Sequence, residues 1–428
     1  MTDKLKQIVQ LSFWRNTWTL FSLWMLMVIV SVGLHMHNFN NFLIYKFSFW
    51  HAYDGVSLYA TYPEDHYDVF LYGPIFSLIA APFAIIPSLW VGVFMWHLAL
   101  ALFLWWAIRQ STFPWTWQVV IFWLTAHEML NALGMSQFNV ATAAMILLSY
   151  VYIQRGKDMW GAFWVVLGIL TKLYGIVGLA FFFFSKNKLK FMVWLLIWSV
   201  VLVALPMPFF GVQYELEQYA GWMNSLAEKG GENVLSDFQN ISLLGFVRKV
   251  GYACSAGLDS YYDVFWRVSA PDSTNWWIST WNDFWLILPG LCYGALPYLR
   301  IRQWGNYPFQ LMCLASVLMF VNIFSTGSEN SSYIISMLGV AIWYVAAPWK
   351  RSGIDLALMI FCFFLTSLSP TDLFPEYLRT HWIRPFALKS IPVVIIWVKM
   401  IYEMITHDYT TEETINDDSK EDTLLLAK

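Results

Sequence analysis

Charge is scarce in this chain. Asp, Glu, Lys and Arg make up 12% of its 428 residues, and a soluble globular protein carries roughly twice that share. A fold with its whole surface in water is excluded by that shortage. Basic clusters are missing too, and the net charge is −3, so there is no electrostatic footprint for a nucleic-acid partner. The four cysteines, Cys254, Cys292, Cys313 and Cys362, stand singly and offer neither a disulfide framework nor zinc-ligand spacing. No Gly-rich phosphate loop with its lysine, no Gly-x-Gly-x-x-Gly fingerprint and no His-x-x-x-His pair occurs. His35 and His37 are two residues apart, a poor spacing for a metal pair on a helix. No cofactor and no metal are expected. Internal repeats, which build many transporters, are not found.

Apolar residues make up 58% of the chain and aromatic ones 19%. Runs of about 20 apolar residues, enough to cross a bilayer core, recur throughout and predict an all-α polytopic membrane protein. The first, Trp18 to Met36, is too long for a signal peptide and lacks its small-residue cleavage site, so it reads as a span. Others fall at 71–87, 88–109, 115–132, 136–153, 160–184, 190–209, 278–298, 308–325, 331–348, 354–370 and 385–405. Lys4, Lys6 and Arg15, the Arg155–Lys157 turn, Lys186, Lys188 and Lys190, and the turns at Arg300/Arg302 and Lys350/Arg351 read as cytoplasmic. Residues 37–70, with interfacial helices, and 211–277 are then outer loops of a single transmembrane domain over 1–406. The stretch 407–428 is polar, acidic and aperiodic, which predicts a disordered cytoplasmic tail. With the 160–184 run counted as a hairpin of two there are thirteen apolar segments. Two cytoplasmic termini require an even number of crossings, so one segment within 71–132 must turn back or fall short, leaving about twelve spans.

Polar groups interrupt this pattern at particular places. The first outer loop carries Asp54, Glu64, Asp65 and Asp68. Lys172 breaks the 160–184 run into a predicted hairpin of two short helices with the lysine at its outer end. His127, Glu128, Gln137, Asn139, Glu329 and Asn330 fall at outer ends of other spans. Each alone is explained by interhelical hydrogen bonding. As a set on the same side as an acidic loop, they predict a polar cavity.

Several stretches carry a family resemblance. Asn41-Phe-Leu-Ile-Tyr45, Asp54-Gly-Val-Ser-Leu-Tyr59, Tyr72-Gly-Pro-Ile-Phe76 and Ala81-Pro-Phe-Ala-Ile-Ile-Pro87 come first. Ser136-Gln137-Phe138-Asn139, Arg155-Gly156-Lys157, Thr171-Lys172-Leu173-Tyr174 and Gln239-Asn240-Ile241-Ser242-Leu243-Leu244-Gly245 follow in order. This ordered set, over most of 37–345, resembles family 87 glycosyltransferases of the GT-C class, the polyprenol-phosphate-mannose-dependent mannosyltransferases. The resemblance implies a GT-C-like bundle of about 12 transmembrane helices with interfacial helices in the first outer loop. It also implies transfer of a hexose, mannose in that family, from a polyprenyl-phosphate donor to a glycan or glycolipid acceptor outside the cytoplasm, with membrane lipid as a further partner. The plasma (inner) membrane is the implied location.

An inverting transfer needs a carboxylate for the acceptor proton and cationic or amide donors for the leaving phosphate. The family places its acid where this chain has Asn41, and has a late His where this chain has Glu329, Asn330 and Ser331. Three readings follow. The base has moved to another loop carboxylate, Asp68 first and Asp54 next; Glu128 or Glu329 supplies it from a helix end; or the chain is a non-catalytic relative, transporter or binder of lipid-linked sugars. Lys172 suits a phosphate contact, and snorkelling to the interface explains it equally. Asn41, Tyr45, Tyr72, His127, Gln137, Asn139 and Asn330 are candidate sugar or phosphate ligands. Ser242 opens a predicted helix, where backbone N–H groups suit an anion and an ordinary cap suits the serine.

Overall fold

The computed structural model describes residues 12–34, 39–236, 238–266, 269–272, 274–279 and 281–409. Lys4, Lys6, His35, His37 and residues 410–428 of the expected tail lie outside the described residues. Within them all regular structure is helical and no strand occurs. The chain runs through α1 (Thr17–Leu34), α2 (Asn40–Tyr53), α3 (Phe76–Ala84), α4 (Leu89–Gln110), α5 (Trp115–Gly134), α6 (Asn139–Gln154) and α7 (Asp158–Thr171). A 3₁₀ helix over Leu173–Phe184 leads to α8 (Lys188–Ala204), α9 (Val212–Glu232), α10 (Leu243–Ala256) and α11 (Leu258–Phe265). Then come α12 (Trp281–Ala295), α13 (Tyr307–Ile323), α14 (Tyr333–Val345), α15 (Gly353–Cys362) and α16 (Ile391–Thr406).

Two of these are long and apolar enough to cross a membrane alone: α4, and the run Lys188–Phe210 that begins with α8. The pair Glu376–Ile383 and Leu388–Thr406, bent by 92°, makes a third if it is one span. Seven further apolar helices are 10–17 residues long; at 1.5 Å per residue the longest reach about 26 Å. These helices make a membrane protein, but their lengths alone do not add up to twelve crossings. Helix α3 has 9 residues and is therefore about 14 Å long, less than half of a hydrocarbon core. Within 71–132, among the described residues, α4 is the one helix long and apolar enough to cross alone.

Three helices form the centre. Along α6, α13 and α14 apolar residues point in every direction, and Ala143, Leu147, Met312, Leu314, Ile334 and Leu338 are wholly buried. A helix apolar all round has no face to offer water and belongs inside. The opposite case is α8, where Leu189, Leu196 and Val200 are 73%, 68% and 63% exposed; lipid is the solvent for such a surface.

Two arrangements place the site. The 3₁₀ helix folds back on α7 so closely that a Cβ on Gly175 would lie 2.2 Å from the carbonyl carbon of Gly168. Only glycine permits that approach, and it leaves Lys172 at the apex in an extended conformation (φ −143°, ψ 119°). The second is α9, a helix in a region the sequence shows as loop. It lies across the first loop: Tyr214 donates to Val56 O (2.8 Å), Trp222 Nε1 to Leu71 O (2.9 Å), and Gln218 Oε1 accepts from Leu58 N (2.8 Å). At the other end, His407 to Tyr409 are not loose. Arg300 donates to the His407 carbonyl, Gln303 to Asp408, and Tyr409 is 3% exposed.

Candidate active site

The α5–α6 turn is built around Ser136, whose φ of 51° is left-handed, a conformation that costs a non-glycine residue energy. Helix α4 holds it there. Trp96 Nε1 donates to Ser136 O at 3.0 Å, and His97 Nε2 lies 2.9 Å from Ser136 Oγ. From the first loop Asn41 Nδ2 donates to Met135 O at 2.8 Å. The turn so fixed presents Gln137 and Asn139. Gln137 Oε1 accepts from both Tyr45 (3.1 Å) and Tyr72 (3.0 Å), while its Nε2 points at Glu329 Oε2, 3.5 Å away.

Lys172 enters from the hairpin apex. Its Nζ donates to Asn139 Oδ1 at 2.7 Å, stands 3.9 Å from Glu329 Oε1, and lies 4.9 Å and 5.6 Å from the ring centroids of Tyr174 and Tyr72. Asn139 Nδ2 is 3.0 Å from Ser331 Oγ and 3.5 Å from Glu329 Oε1. Lysine, two amides and an accepting carboxylate are thus held in one preorganised cluster around a low-dielectric space.

Glu329 belongs to the 325–332 turn, which is pinned to the second loop by backbone bonds. Asn240 N donates to Thr326 O (3.0 Å) and Ile241 N to Ser328 O (2.8 Å). Tyr333 donates to Ile241 O at 2.7 Å. The Gln239–Gly245 stretch therefore braces the turn, and Ser242 caps α10 by accepting from Gly245 N at 3.0 Å.

The fourth part is Asp68. His66 Nδ1 donates to its carbonyl at 2.6 Å, and burial lowers the His66 pKa. The Asp68 carboxylate pairs with Lys229 of α9 at 3.4 Å. Burial works against the Lys229 charge, but Asp68 and Glu232 more than offset it and push the ammonium pKa up.

These groups enclose a cavity of about 350 Å³. Asn41, Tyr45, Asp68, Tyr72, Gln137, Lys172 and Glu329 line it, with Tyr174, Lys229, Asn233, Gln239 and Ser325–Gly327. Asn139 stands behind Lys172 and bonds to it. The remaining candidates lie elsewhere. Asp54 follows the last turn of α2 and is exposed. Glu128 is buried in an ion pair with Lys389 at 3.3 Å, and His127 Nδ1 lies 2.9 Å from Ser367 Oγ. Ser242 is a helix cap, and Asn330 contributes its carbonyl to Lys389 (3.0 Å). Lys389, Lys229 and Tyr174 were not singled out by sequence. Tyr174 adjoins Lys172 within a matched motif, which was a usable signal; the two lysines pair with carboxylates far away in the chain and left none.

The cavity does not end at Tyr174. An apolar groove continues from it, first between Leu173, Ile176, Leu244, Ile287 and Phe324, then between Val177, Ala180, Phe183, Leu291, Gly294 and Val317. Asp283 on its wall is held by the buried Arg248 at 2.6 Å. Charged cavity and apolar groove share Leu173, Tyr174, Ser325 and Thr326.

No curated protein matches the chain. Residues 70–326, more than half of it, match the family described as glycosyltransferase family 87. The matched span holds Tyr72, Gln137, Asn139, Lys172 and the start of the 325–332 turn, and the chain belongs to glycosyltransferase family 87.

Proposed function

We propose that this membrane glycosyltransferase moves a hexose, mannose first among them, from a polyprenyl phosphate to a glycan or glycolipid acceptor on the outer side of the plasma (inner) membrane. Both termini are then cytoplasmic, in a bundle of about twelve crossings with α3 as a short interfacial piece. One observation carries the reading. The cavity offers a cation and amide donors at one end, and an apolar groove runs out of it along the 173–184 helix. A ligand with a charged head and a long hydrocarbon tail fits both parts, and a soluble sugar nucleotide has no use for the second.

In this reading Lys172 meets the donor phosphate as a point charge. Glu329, 3.9 Å from that ammonium, stands on the same side of the cavity and so faces the leaving group. A carboxylate there is poorly placed to take a proton from the opposite face of the sugar. Asp68 is at the cavity mouth, with its side chain 49% exposed, open to an incoming hydroxyl. The acceptor oxygen attacks the anomeric carbon, the bond from that carbon to the phosphate oxygen breaks, and its electron pair leaves with polyprenyl phosphate. The acceptor proton passes to Asp68. Gln137, Tyr45 and Tyr72 are hydrogen-bonding partners for sugar hydroxyls.

The alternative of a non-catalytic binder has an observation of its own: Asn41, at the family's acid position, donates to a backbone carbonyl and cannot take a proton. Purified protein supplied with labelled polyprenyl-phosphate mannose and membrane glycolipids separates the two. Wild-type transfer is expected, with Asp68→Asn lowering kcat by about 10²–10⁴-fold as loss of a general base does. Tight binding of polyprenyl phosphate without transfer of any hexose would establish the binder instead.

A further inference from the structure

Glu128 and Lys389 meet at 3.3 Å across 261 residues of sequence, and their exposures are 0% and 1%. Taking two ions out of water costs several kcal/mol each, so a buried pair stabilises a fold no better than apolar residues of the same size. Its surroundings show another use. The Lys389 ammonium also donates to Asn330 O at 3.0 Å and sits 4.7 Å from the Tyr333 ring centroid. Asn330 is the residue after Glu329. Glu128 sits on α5, whose C-terminal end leads directly into the turn bearing Gln137 and Asn139. The pair therefore joins the two backbones that carry the two halves of the cavity cluster.

Lys389 is itself held on a shaped support. Ala387 takes a left-handed φ of 52° and turns the chain into a short 3₁₀ helix over Leu388–Ser390. Thr366 Oγ1 donates to the Lys389 carbonyl at 2.8 Å. On the other side, Asn131 Nδ2 donates to Glu128 Oε1 at 3.1 Å. A flexible lysine fixed at backbone, ammonium and ring is preorganised, and the lost side-chain freedom serves placement.

We propose that Glu128 and Lys389 are positioning residues for the transfer reaction. They set the separation between the Gln137–Asn139 turn and the Glu329–Asn330 turn, and so keep Lys172 in register for the donor phosphate. The inference rests on the transferase reading and extends it beyond residues 70–326, the family-matched span.

Removing one partner alone leaves a buried charge unpaired, which is strongly destabilising, so the informative variant is Lys389→Met with Glu128→Leu. Wild type and this variant are compared in thermal unfolding and in steady-state transfer. The expected result is an unfolding temperature close to wild type with the donor KM raised at least 10-fold and the acceptor KM unchanged. A folded variant with wild-type donor KM overturns the proposal and leaves the transferase reading standing. If the double variant does not fold, Lys389→Arg takes its place: it keeps the pair but changes the reach to Asn330. A wild-type donor KM there overturns the proposal equally. Wild-type protein that transfers no hexose overturns the transferase reading, and this inference with it.

Discussion

Lys172 donates to Asn139 Oδ1 at 2.7 Å, so the one lysine inside the 160–184 apolar run is held by an amide and not by a full ion pair. Glu329 is 3.9 Å away, beyond hydrogen-bond distance. An ammonium in that state keeps capacity for a phosphate oxygen. Lys172→Met is expected to weaken polyprenyl-phosphate binding by about 10–100-fold, the value of a charge-assisted hydrogen bond of roughly 1.5–3 kcal/mol. Isothermal titration of polyprenyl phosphate into detergent-solubilised protein checks it, and unchanged affinity removes Lys172 from the donor site.

Asn41 supplies a second test, because Asn41→Asp exchanges one small polar group for another of nearly the same size. Asn41→Asp swaps a donor for an acceptor against the Met135 carbonyl. The expected outcome is a loss of about 0.5–1.5 kcal/mol in stability, as for a partly exposed hydrogen bond removed, with no gain in turnover. Faster transfer by that variant would return the base to position 41 and displace Asp68.

These two residues also show what the sequence could and could not reveal. A lysine within an apolar run is expensive, so Lys172 was visible as a functional candidate. The polar ends of α5, α6 and the 325–332 turn were visible for the same reason, and the cavity gathers Gln137, Lys172 and Glu329. Glu128 was equally conspicuous, yet its partner lies 261 residues on, and no local pattern reveals a pairing at that range. The left-handed Ser136 gave no sign because it is not a glycine; Trp96 and His97 impose its conformation from another helix. Helix α9 was missed because its anchors are backbone groups of the first loop, at Val56, Leu58 and Leu71, which carry no side-chain signature. Composition alone could not say where α3 ends, because apolar residues continue after the helix stops at 9 residues.

Gly175 tests the hairpin that aims Lys172. A methyl group there would lie 2.2 Å from Gly168 C and 2.5 Å from Ile169 N, both backbone atoms. Gly175→Ala is expected to destabilise by at least 1–3 kcal/mol, the usual order for overpacking, and to weaken donor binding by moving the apex. The control is Gly33→Ala on α1, where nothing lies within 4 Å of the added carbon; there a helix gains roughly 0.5–1 kcal/mol. Equal unfolding temperatures for the two variants would mean that α7 and the 3₁₀ helix are not packed this closely.

The last prediction concerns pH. Glu215 on α9 is wholly buried, and neither carboxylate oxygen has a hydrogen-bond partner among the described residues. Burial pushes its pKa up from 4.5 to about 7, and the rings of Tyr59, Tyr214 and Tyr219 lie close enough to feel its charge. Because the folded state holds the proton more tightly than the unfolded chain, stability is full below the unfolded pKa. It falls as pH rises from about 4.5 to about 7 and levels off above that. At roughly 1.4 kcal/mol per pKa unit, the loss is at most about 3 kcal/mol. Since α9 holds the first loop through Val56, Leu58 and Leu71, ionisation of Glu215 is expected to loosen that loop. Glu215→Gln is expected to flatten the decline in unfolding temperature between pH 5 and pH 7.5. A wild-type curve already flat across that range would mean that Glu215 is ionised in the folded protein and that α9 does not bury it.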